Sequence, residues 1–377
     1  MTARARYMPD HVLMTADAVG GVWTYALELA RGLSARGVHV TLAVMGPSPT
    51  ASQRSDAAEV ERLTLRESNC RLEWMDGPWD DVERAGEWLL ALDRELAPDV
   101  VHLNGYAHAV LPFASPVLVA AHSCVCSWWR AVHGVPAPDS WDRYRSAVRA
   151  GVQAADLVVA PTRAMLDALA ADHGTPRESH VIANGRTVHV VRVEKEPFIL
   201  GAGRLWDEAK NVGALLDAAP SLPWPVYVAG ATSEPARDGV SLLATGGHVR
   251  LLGTLTPRAL AGWMARASIF ASPALYEPFG LAALEAALAG CALVVGDIPS
   301  QREVWGDAAI FVPPNDSDAL GHALTRLAGD PELLGTMADR AQHRAARYGV
   351  DRFVDGYVDA YERLGSASTA DALALSA

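Results

Sequence analysis

Residues 272–285 read Ser-Pro-Ala-Leu-Tyr-Glu-Pro-Phe-Gly-Leu-Ala-Ala-Leu-Glu. Two carboxylates, Glu277 and Glu285, flank Gly280, and the pattern predicts a helix from Leu281. The first turn of a helix offers free N–H groups and about half a positive charge, which suits an anion. Gly280 has no Cβ, so a phosphate can approach the backbone closely. Glu285 lies about one and a half turns into that helix. A carboxylate there accepts two hydrogen bonds from a vicinal diol such as a ribose. Glu277 precedes the helix and reaches toward a second polyol on the other side of the phosphates. Two acids around one phosphate cradle suit a nucleoside-diphosphate sugar. Taken singly, Glu277 also fits a helix cap and Glu285 a solvated surface acid.

Gly201-Ala202-Gly203-Arg204-Leu205 follows a strand-like run, with Lys210-Asn211 shortly after. Two cations in the loop after a strand are placed to hold a leaving diphosphate. Arginine offers a fork to two oxygens and lysine a mobile point charge. The chain has only two lysines, Lys195 and Lys210, so their positions carry information. The competing reading is a pair of surface cations near Asp207 and Glu208. Gly201-x-Gly203 alone is not a full dinucleotide fingerprint.

Weaker signals lie in the first half. Asp17-Ala18-Val19-Gly20-Gly21 follows a strand and opens a helix, so the Gly20-Gly21 turn lets backbone approach a ligand or lets the helix pack on the sheet. His122 ends an apolar strand, and His102-Leu103-Asn104-Gly105 ends another in the same way. Asn184-Gly185 closes a further strand, where a plain turn is the alternative. Trp128, Trp129, His133, Trp141 and Tyr144 form an aromatic patch suited to an acceptor or to core packing. Asp316-Ser317-Asp318 resembles an acidic metal motif but is read as a helix N-cap. Cys70, Cys124, Cys126 and Cys291 lack zinc-framework spacing and are read as reduced structural thiols. No metal cluster and no nucleophile elbow is evident.

These residues need positioning elements. Thirteen apolar runs alternate with longer helical patterns: His11–Thr15, Val38–Met45, Arg71–Met75, Asp99–Leu103, Pro116–His122, Asp156–Ala160, His180–Ala183, Phe198–Gly201, Pro225–Ala229, His248–Leu252, Ser268–Ser272, Ala292–Gly296 and Ala309–Val312. Segments such as Gly21–Ala35, Glu83–Leu96 and Pro278–Ala289 read as helices. This alternation argues for βαβ units in parallel sheets. Thirteen strands exceed one ordinary open sheet, so two doubly wound, Rossmann-like domains are expected. The polar stretch Asn184–Pro197 is the expected seam. It separates domain 1–190 from domain 191–349. Val350–Leu364 carries Phe353, Tyr357, Val358 and Tyr361 at helical spacing and reads as a docked helix (about 350–365) rejoining the first domain. Residues 366–377 read as a disordered tail.

The 377 residues suffice for such domains. A formal charge of −12 disfavours nucleic-acid partners. No apolar run reaches the roughly 20 residues of a membrane helix, and no signal-peptide core is evident, so a cytoplasmic location is expected. Peripheral membrane contact stays open, although no basic amphipathic helix is evident.

In chain order, the Gly20-Gly21 turn, Ala121-His122, Val181-Ile-Ala-Asn184-Gly185, Gly203-Arg204-Leu205 with Lys210-Asn211, and Glu277-Pro-Phe-Gly-Leu with Glu285 resemble glycosyltransferase family 4. These are retaining, nucleotide-sugar-dependent enzymes of the GT-B fold, α/β, with two Rossmann-like domains facing across a cleft. The resemblance covers about residues 11–365. It implies that Arg204 and Lys210 hold the diphosphate, that Gly280 and Leu281 supply N–H groups, and that Glu285 holds the ribose. It also implies that Glu277 takes the transferred sugar's hydroxyls and His122 contacts that sugar. Gly20, Gly21 and Asn184 complete the donor set. No cofactor and no essential metal is implied, and front-face transfer assisted by the leaving group is implied for the step. The chain departs from the family at Trp206 and at Asn184-Gly185-Arg186-Thr187, where Asn-Gly-Val-Asp is usual. Commonness favours a UDP-glucose-type donor, with GDP-mannose next. The acceptor stays open among glycan, lipid-linked and small-molecule hydroxyls. A nucleotide-sugar epimerase and a non-catalytic sugar-nucleotide binding module are the alternatives.

Overall fold

A computed structural model describes residues 8–187, 193–232 and 248–375. The first half holds β1 (His11–Asp17), α1 (Gly21–Ser34), β2 (His39–Met45), α2 (Ala51–Ala58), β3 (Leu63–Glu67), α3 (Trp79–Leu96) and β4 (Val100–Leu103). It continues with β5 (Val117–Ala120), α4 (Val125–His133), α5 (Asp142–Ala154), β6 (Leu157–Ala160), α6 (Arg163–His173) and β7 (Ser179–Val181). The second half holds β8 (Glu196–Ala202), α7 (Val212–Ala218), β9 (Val226–Ala229), β10 (Val249–Gly253), α8 (Pro257–Arg266), β11 (Ala267–Ser272) and α9 (Leu281–Leu288). After it come β12 (Ala292–Gly296), α10 (Pro299–Trp305), β13 (Ile310–Val312), α11 (Ser317–Gly329), α12 (Pro331–Ala345) and α13 (Val350–Leu375).

The chain divides into two units. The first comprises residues 1–127, 136–185 and 350–377, and the second 128–135 and 186–349. Each has one parallel sheet, ordered β3-β2-β1-β4-β5-β6-β7 and β10-β9-β8-β11-β12-β13. In each sheet the order turns back beside its first strand. That reversal lies between β1 and β4, where Val12 pairs Val100, and between β8 and β11, where Ile199 pairs Ile269. Loops after these strand pairs diverge and leave a crevice at the strands' carboxyl ends, the usual ligand position in such sheets.

The strands are continuous apolar runs because helices cover both faces. In the first unit Val12, Met14, Val40 and Leu42 pack with Leu29 and Leu33 of α1 and with Phe353, Val354, Tyr357 and Tyr361 of α13. In the second, Ile199, Val226, Ile269 and Val294 pack with Leu215 of α7 and Leu320 and Leu324 of α11. Asp316 caps α11, its carboxylate accepting from Ala319 N at 2.8 Å, as the sequence predicts.

Two expectations change. Arg71–Met75 is not a strand; the pairing partner of β2 is Leu63–Glu67. That strand is a half-exposed edge, so its Leu-Thr-Leu-Arg-Glu alternation lacks the long apolar run used to find the others. Residues 71–75 instead place buried Glu73, which accepts from Tyr106 N at 3.0 Å and Ala107 N at 2.6 Å. The tail read as disordered is helical as far as Leu375. Beyond Gly365 the sequence has no proline or further glycine and four alanines before Leu375, which favours continuing the helix over stopping it.

Phe353, 2% exposed, joins α13 to the first core. Phe353→Ala is expected to destabilise that unit by about 3–5 kcal/mol, the usual cost of emptying a core aromatic. A lowered urea midpoint reads this out. A loss within about 0.5 kcal/mol, as at surface positions, places α13 outside that core.

Candidate active site

The second unit's crevice is built from the loops after β8 and β11. A backbone contact and the Asn211 side chain brace the β8 loop on its neighbours. Leu275 N donates to Ala209 O at 2.9 Å, and Asn211 Nδ2 donates to Pro273 O at 2.8 Å and Pro314 O at 2.6 Å. Asn211 adopts the left-handed conformation, φ +51°, which turns the chain from the short 3₁₀ turn Glu208–Lys210 into α7. The loops therefore hold their side chains from the backbone up.

Lys210 Nζ donates to Glu277 Oε2 at 2.6 Å, with side chains 20% and 18% exposed. Lys210 comes from the β8 loop and Glu277 from the β11 loop, so this pair spans the crevice. The other lysine is structural: Lys195 Nζ donates to Met264 O, Ala267 O and Ala289 O at 3.2, 2.9 and 2.7 Å. Burial holds the Lys195 ammonium below the usual lysine range.

Arg204 donates to Asp207 Oδ2 at 2.7 Å and lies over the Trp206 ring, 5.4 Å from its centroid. Trp206, bulky for this loop, is thus a shelf for the guanidinium. Buried Arg204 Nε has no hydrogen-bond partner among the described residues. Asp207 also accepts from Trp128 Nε1 and Ala209 N, each at 3.1 Å. Burial pushes the Asp207 carboxyl up, but Arg204 and Lys210 outweigh it, and the group sits below the usual carboxylate range. Arg204 is indeed paired with Asp207, as the competing sequence reading has it, yet Asp207 is buried rather than a surface partner.

Glu277 does not cap α9. Its side chain is on Lys210, and its carbonyl accepts from Ser300 Oγ at 2.6 Å. Gly280 is the N-cap, with φ +93°, ψ +64° and no side-chain cap bond. That left-handed conformation disfavours any residue with a Cβ, and an added Cβ would also press on Gln301, 3.3 Å from its Nε2. The helix from Leu281 thus begins with its first N–H groups uncapped by a side chain. These N–H groups, Lys210 and Arg204 all lie at one reversal of strand order.

Glu285 is not a solvated surface acid. Arg186 Nε donates to its Oε1 at 2.6 Å, with both side chains about one-fifth exposed (18% and 20%). Arg186 stands at the position where the motif departs from the family pattern, and its N–H is fixed on Tyr348 O at 3.0 Å. Tyr348 in turn meets Phe279 edge-on, centroids 5.3 Å apart.

In the first unit Gly20 is the N-cap of α1 at φ +96° and Gly21 its first residue. Asp17 Oδ1 accepts from Val19 N at 2.7 Å, so this buried carboxylate shapes the turn. His122 Nε2 lies 2.8 Å from Asn104 Oδ1. Asn104 Nδ2 is committed to Thr15 O at 2.6 Å, so its oxygen faces the histidine and His122 donates from Nε2. Tyr25 packs edge-on against His122 at 4.4 Å. Behind it, His102 joins Tyr25 OH at 3.1 Å and Tyr361 OH at 2.7 Å. Burial first, then the charge of His122, lowers the His102 pKa to about 3. Burial also lowers that of His122 to about 4. Both imidazoles are neutral at neutral pH.

The predicted residues therefore fall in two sets. Arg204, Lys210, Glu277, Gly280, Leu281 and Glu285 meet in the second unit, and Gly20, Gly21 and His122 lie at strand ends of the first. Asn184 is buried in the first unit after β7, away from the residues at the other strand ends named above. The aromatic patch divides: Trp128, Trp129 and His133 cluster together, while Trp141 packs on buried Tyr144, whose OH accepts from Val125 N at 3.2 Å.

Sequence reasoning missed Arg186, Gly230 and Gly296. A Cβ on Gly230, φ +145°, would collide with Gly203 O, and one on Gly296 with Ala274 O. Both glycines let a site loop cross the neighbouring backbone. Each ends an apolar strand run, and that is the signal available in the sequence.

Glycosyltransferase Family 4 matches residues 19–189, and Glycosyl transferases group 1 matches residues 196–330. The chain belongs to glycosyltransferase family 4. It is an enzyme of the GT-B type, α/β, with two Rossmann-like units. A phosphatidyl-myo-inositol mannosyltransferase of Mycolicibacterium smegmatis is 33% identical over 159 residues, which are 40% of this chain and 41% of that protein. A D-inositol 3-phosphate glycosyltransferase of Streptomyces bingchenggensis is 26% identical across 94% of this chain and 86% of that one. An Anabaena protein crystallised with UDP and glucose has a TM-score of 0.73 at 18% identity, covering 94% of this chain and 99% of that chain. No helix among the described residues is long and apolar enough to cross a membrane.

Two outcomes test this geometry. Gly230→Ala forces the Gly203 carbonyl aside and should raise the donor KM while costing about 1–3 kcal/mol of stability through backbone strain; an unchanged KM dissociates Gly230 from the Arg204 loop. His102 titrates lower folded than unfolded, so its contribution to stability is full above about pH 6.5 and is lost as pH falls toward about 3. Unfolding followed over that window should show a shallower pH slope in His102→Gln than in the wild type. Equal slopes remove His102 from the pH response.

Proposed function

We propose that the chain is a retaining glycosyltransferase that moves a hexose from a nucleoside-diphosphate sugar to a hydroxyl acceptor. The observation that carries this reading is the Lys210–Glu277 pair across the β8–β11 crevice, beside Arg204 and the uncapped start of α9. Departure of a nucleoside diphosphate leaves negative charge on its oxygens. Lys210, Arg204 and the helix N–H groups are fixed donors placed for that charge, and preorganised donors of this kind lower the barrier without reorganising. Glu277, anchored on Lys210, faces the sugar's hydroxyls, and Glu285, anchored on Arg186, takes the ribose. His122, which the family resemblance makes a sugar contact, carries a neutral ring. Asp17 is engaged in its own turn, which favours front-face transfer assisted by the leaving group over attack by a protein carboxylate.

A UDP-glucose-type donor is favoured, in keeping with the UDP and glucose held by the Anabaena neighbour, with a GDP-mannose-type donor next. Transfer runs without an essential metal, because the two cations and the α9 N–H groups supply the positive potential. The acceptor is a hydroxyl of a glycan, lipid-linked or small-molecule compound. Inositol phosphates enter the acceptor panel on the names of the relatives. The reaction is placed in the cytoplasm.

Lys210→Ala and Arg204→Ala should each lower kcat by about a hundredfold or more, the scale of a lost oxyanion donor. Near-normal rates in both, with the true donor, overturn the cradle. Product NMR should show a retained anomeric configuration, and an inverted linkage overturns the retaining assignment. In a thermal-shift panel of UDP, GDP, ADP and TDP, the cognate diphosphate should raise Tm most. Donor alone should yield no epimer.

A further inference from the structure

The start of α4 and the end of α6 bring together Cys124, Cys126 and His173 within the first unit. One ligand atom from each lies within 4.8 Å of the others, and Cys124 Sγ is 3.0 Å from His173 Nε2. All three residues are buried. They are 49 residues apart in sequence between Cys124 and His173, so the fold, not the spacing, makes the set.

Two thiols and an imidazole are the ligands that thiophilic d10 ions prefer. Zinc–sulfur bonds of about 2.3 Å and zinc–nitrogen bonds of about 2.0 Å require ligand atoms roughly 3–4 Å apart. The side chains are therefore already near coordination distance. Cysteines alone are adequate as small apolar core residues. Apolar packing gives no reason to bury an imidazole against their sulfurs, 1% exposed, with Nδ1 lacking a hydrogen-bond partner among the described residues. An unsatisfied buried group costs about 1–3 kcal/mol.

We propose that Cys124, Cys126 and His173 form a structural site for a thiophilic metal ion, with zinc(II) the ion to test. Binding releases two thiol protons to solvent and joins both sulfurs and His173 Nε2 to the ion. Nearby Glu73 is committed to the N–H groups of Tyr106 and Ala107, so among the described residues the protein supplies three ligands. Cys124 follows His122 by two residues, so an ion here ties the β5–α4 turn that carries His122 to the end of α6. The site is separate from the diphosphate cradle and does not depend on the reading of that cradle.

The full chain, produced in zinc-supplemented medium, is expected to hold about one zinc per chain by elemental analysis after dialysis, as buried structural sites do. Cobalt(II) replacement should give a thiolate-to-cobalt charge-transfer band in the near ultraviolet. Cys126→Ser and His173→Gln should each lose the band, and Cys291→Ser, altering a buried thiol elsewhere, should keep it. Wild type that is folded by circular dichroism, lacks the band and carries less than about a tenth of an equivalent of zinc overturns the proposal. So does a band that persists in both ligand variants. If those variants do not fold, the wild-type band and stoichiometry decide alone. Transferase activity enters none of these readouts, so failure of the site and failure of the function are distinguishable.

Discussion

The reversal of strand order beside β8 is the constraint on which the second unit's chemistry depends. β8 crosses toward β9 and β11 crosses toward β12, in opposite directions along the sheet. Right-handed crossovers then put α7 and α9 on opposite faces, in keeping with α7 packing on α11 and α9 on α8. Between the two departing loops no helix can cover the strand ends. A cation-bearing loop and a helix N-terminus are left side by side there. The sequence fills that gap with Lys210 and Arg204 from one side and with Glu277 and Gly280 from the other. The first unit repeats the reversal between β1 and β4, with the Gly20-Gly21 turn on one side and Asn104 on the other.

Closing such a crevice requires backbone to cross backbone, which is why the glycines matter beyond their own loops. The β8 loop passes over Gly230 so closely that no Cβ fits, and the β11 loop passes over Gly296 in the same way. Arg204 and Ala274 are thus placed by residues on the neighbouring strands β9 and β12. A substitution there acts on the site without touching a ligand.

Much of this was legible in the residues. Long β-branched runs marked the buried parallel strands, and twelve of the thirteen expected runs overlap observed ones. The exception, Arg71–Met75, is not a strand; the observed Leu63–Glu67 is a half-exposed edge strand that carries charge and so lacks the long apolar run. Arg204, Lys210, Glu277, Gly280 and Glu285 were legible because each sits at a strand end or helix start, where local pattern and chemistry coincide. Arg186 was not, because its partner Glu285 is far along the chain and only folding brings the two together. The cluster of Cys124, Cys126 and His173 was hidden for the same reason, since motif spacing records only ligands that are near in sequence. In the stretch after Gly365 a small polar composition and a helix-favouring alanine content point in different directions, and the helix runs on to Leu375.

Arg186 also changes how the acids should be understood. Glu277 and Glu285 both adjoin the start of α9, and each is held by a cation from a distant segment, Lys210 or Arg186. Both pairs are mostly shielded from water, so each is held more firmly than an exposed surface pair, typically worth about 0–1 kcal/mol. Removing one partner leaves a poorly solvated charge, and that is costly. Each acid is therefore fixed in place by its own cation. Arg186 lies at the position where the chain departs from the family's usual Asn-Gly-Val-Asp, and it holds Glu285 in place. The departure thus replaces an apolar residue with an anchor for an acid that the family pattern already contains.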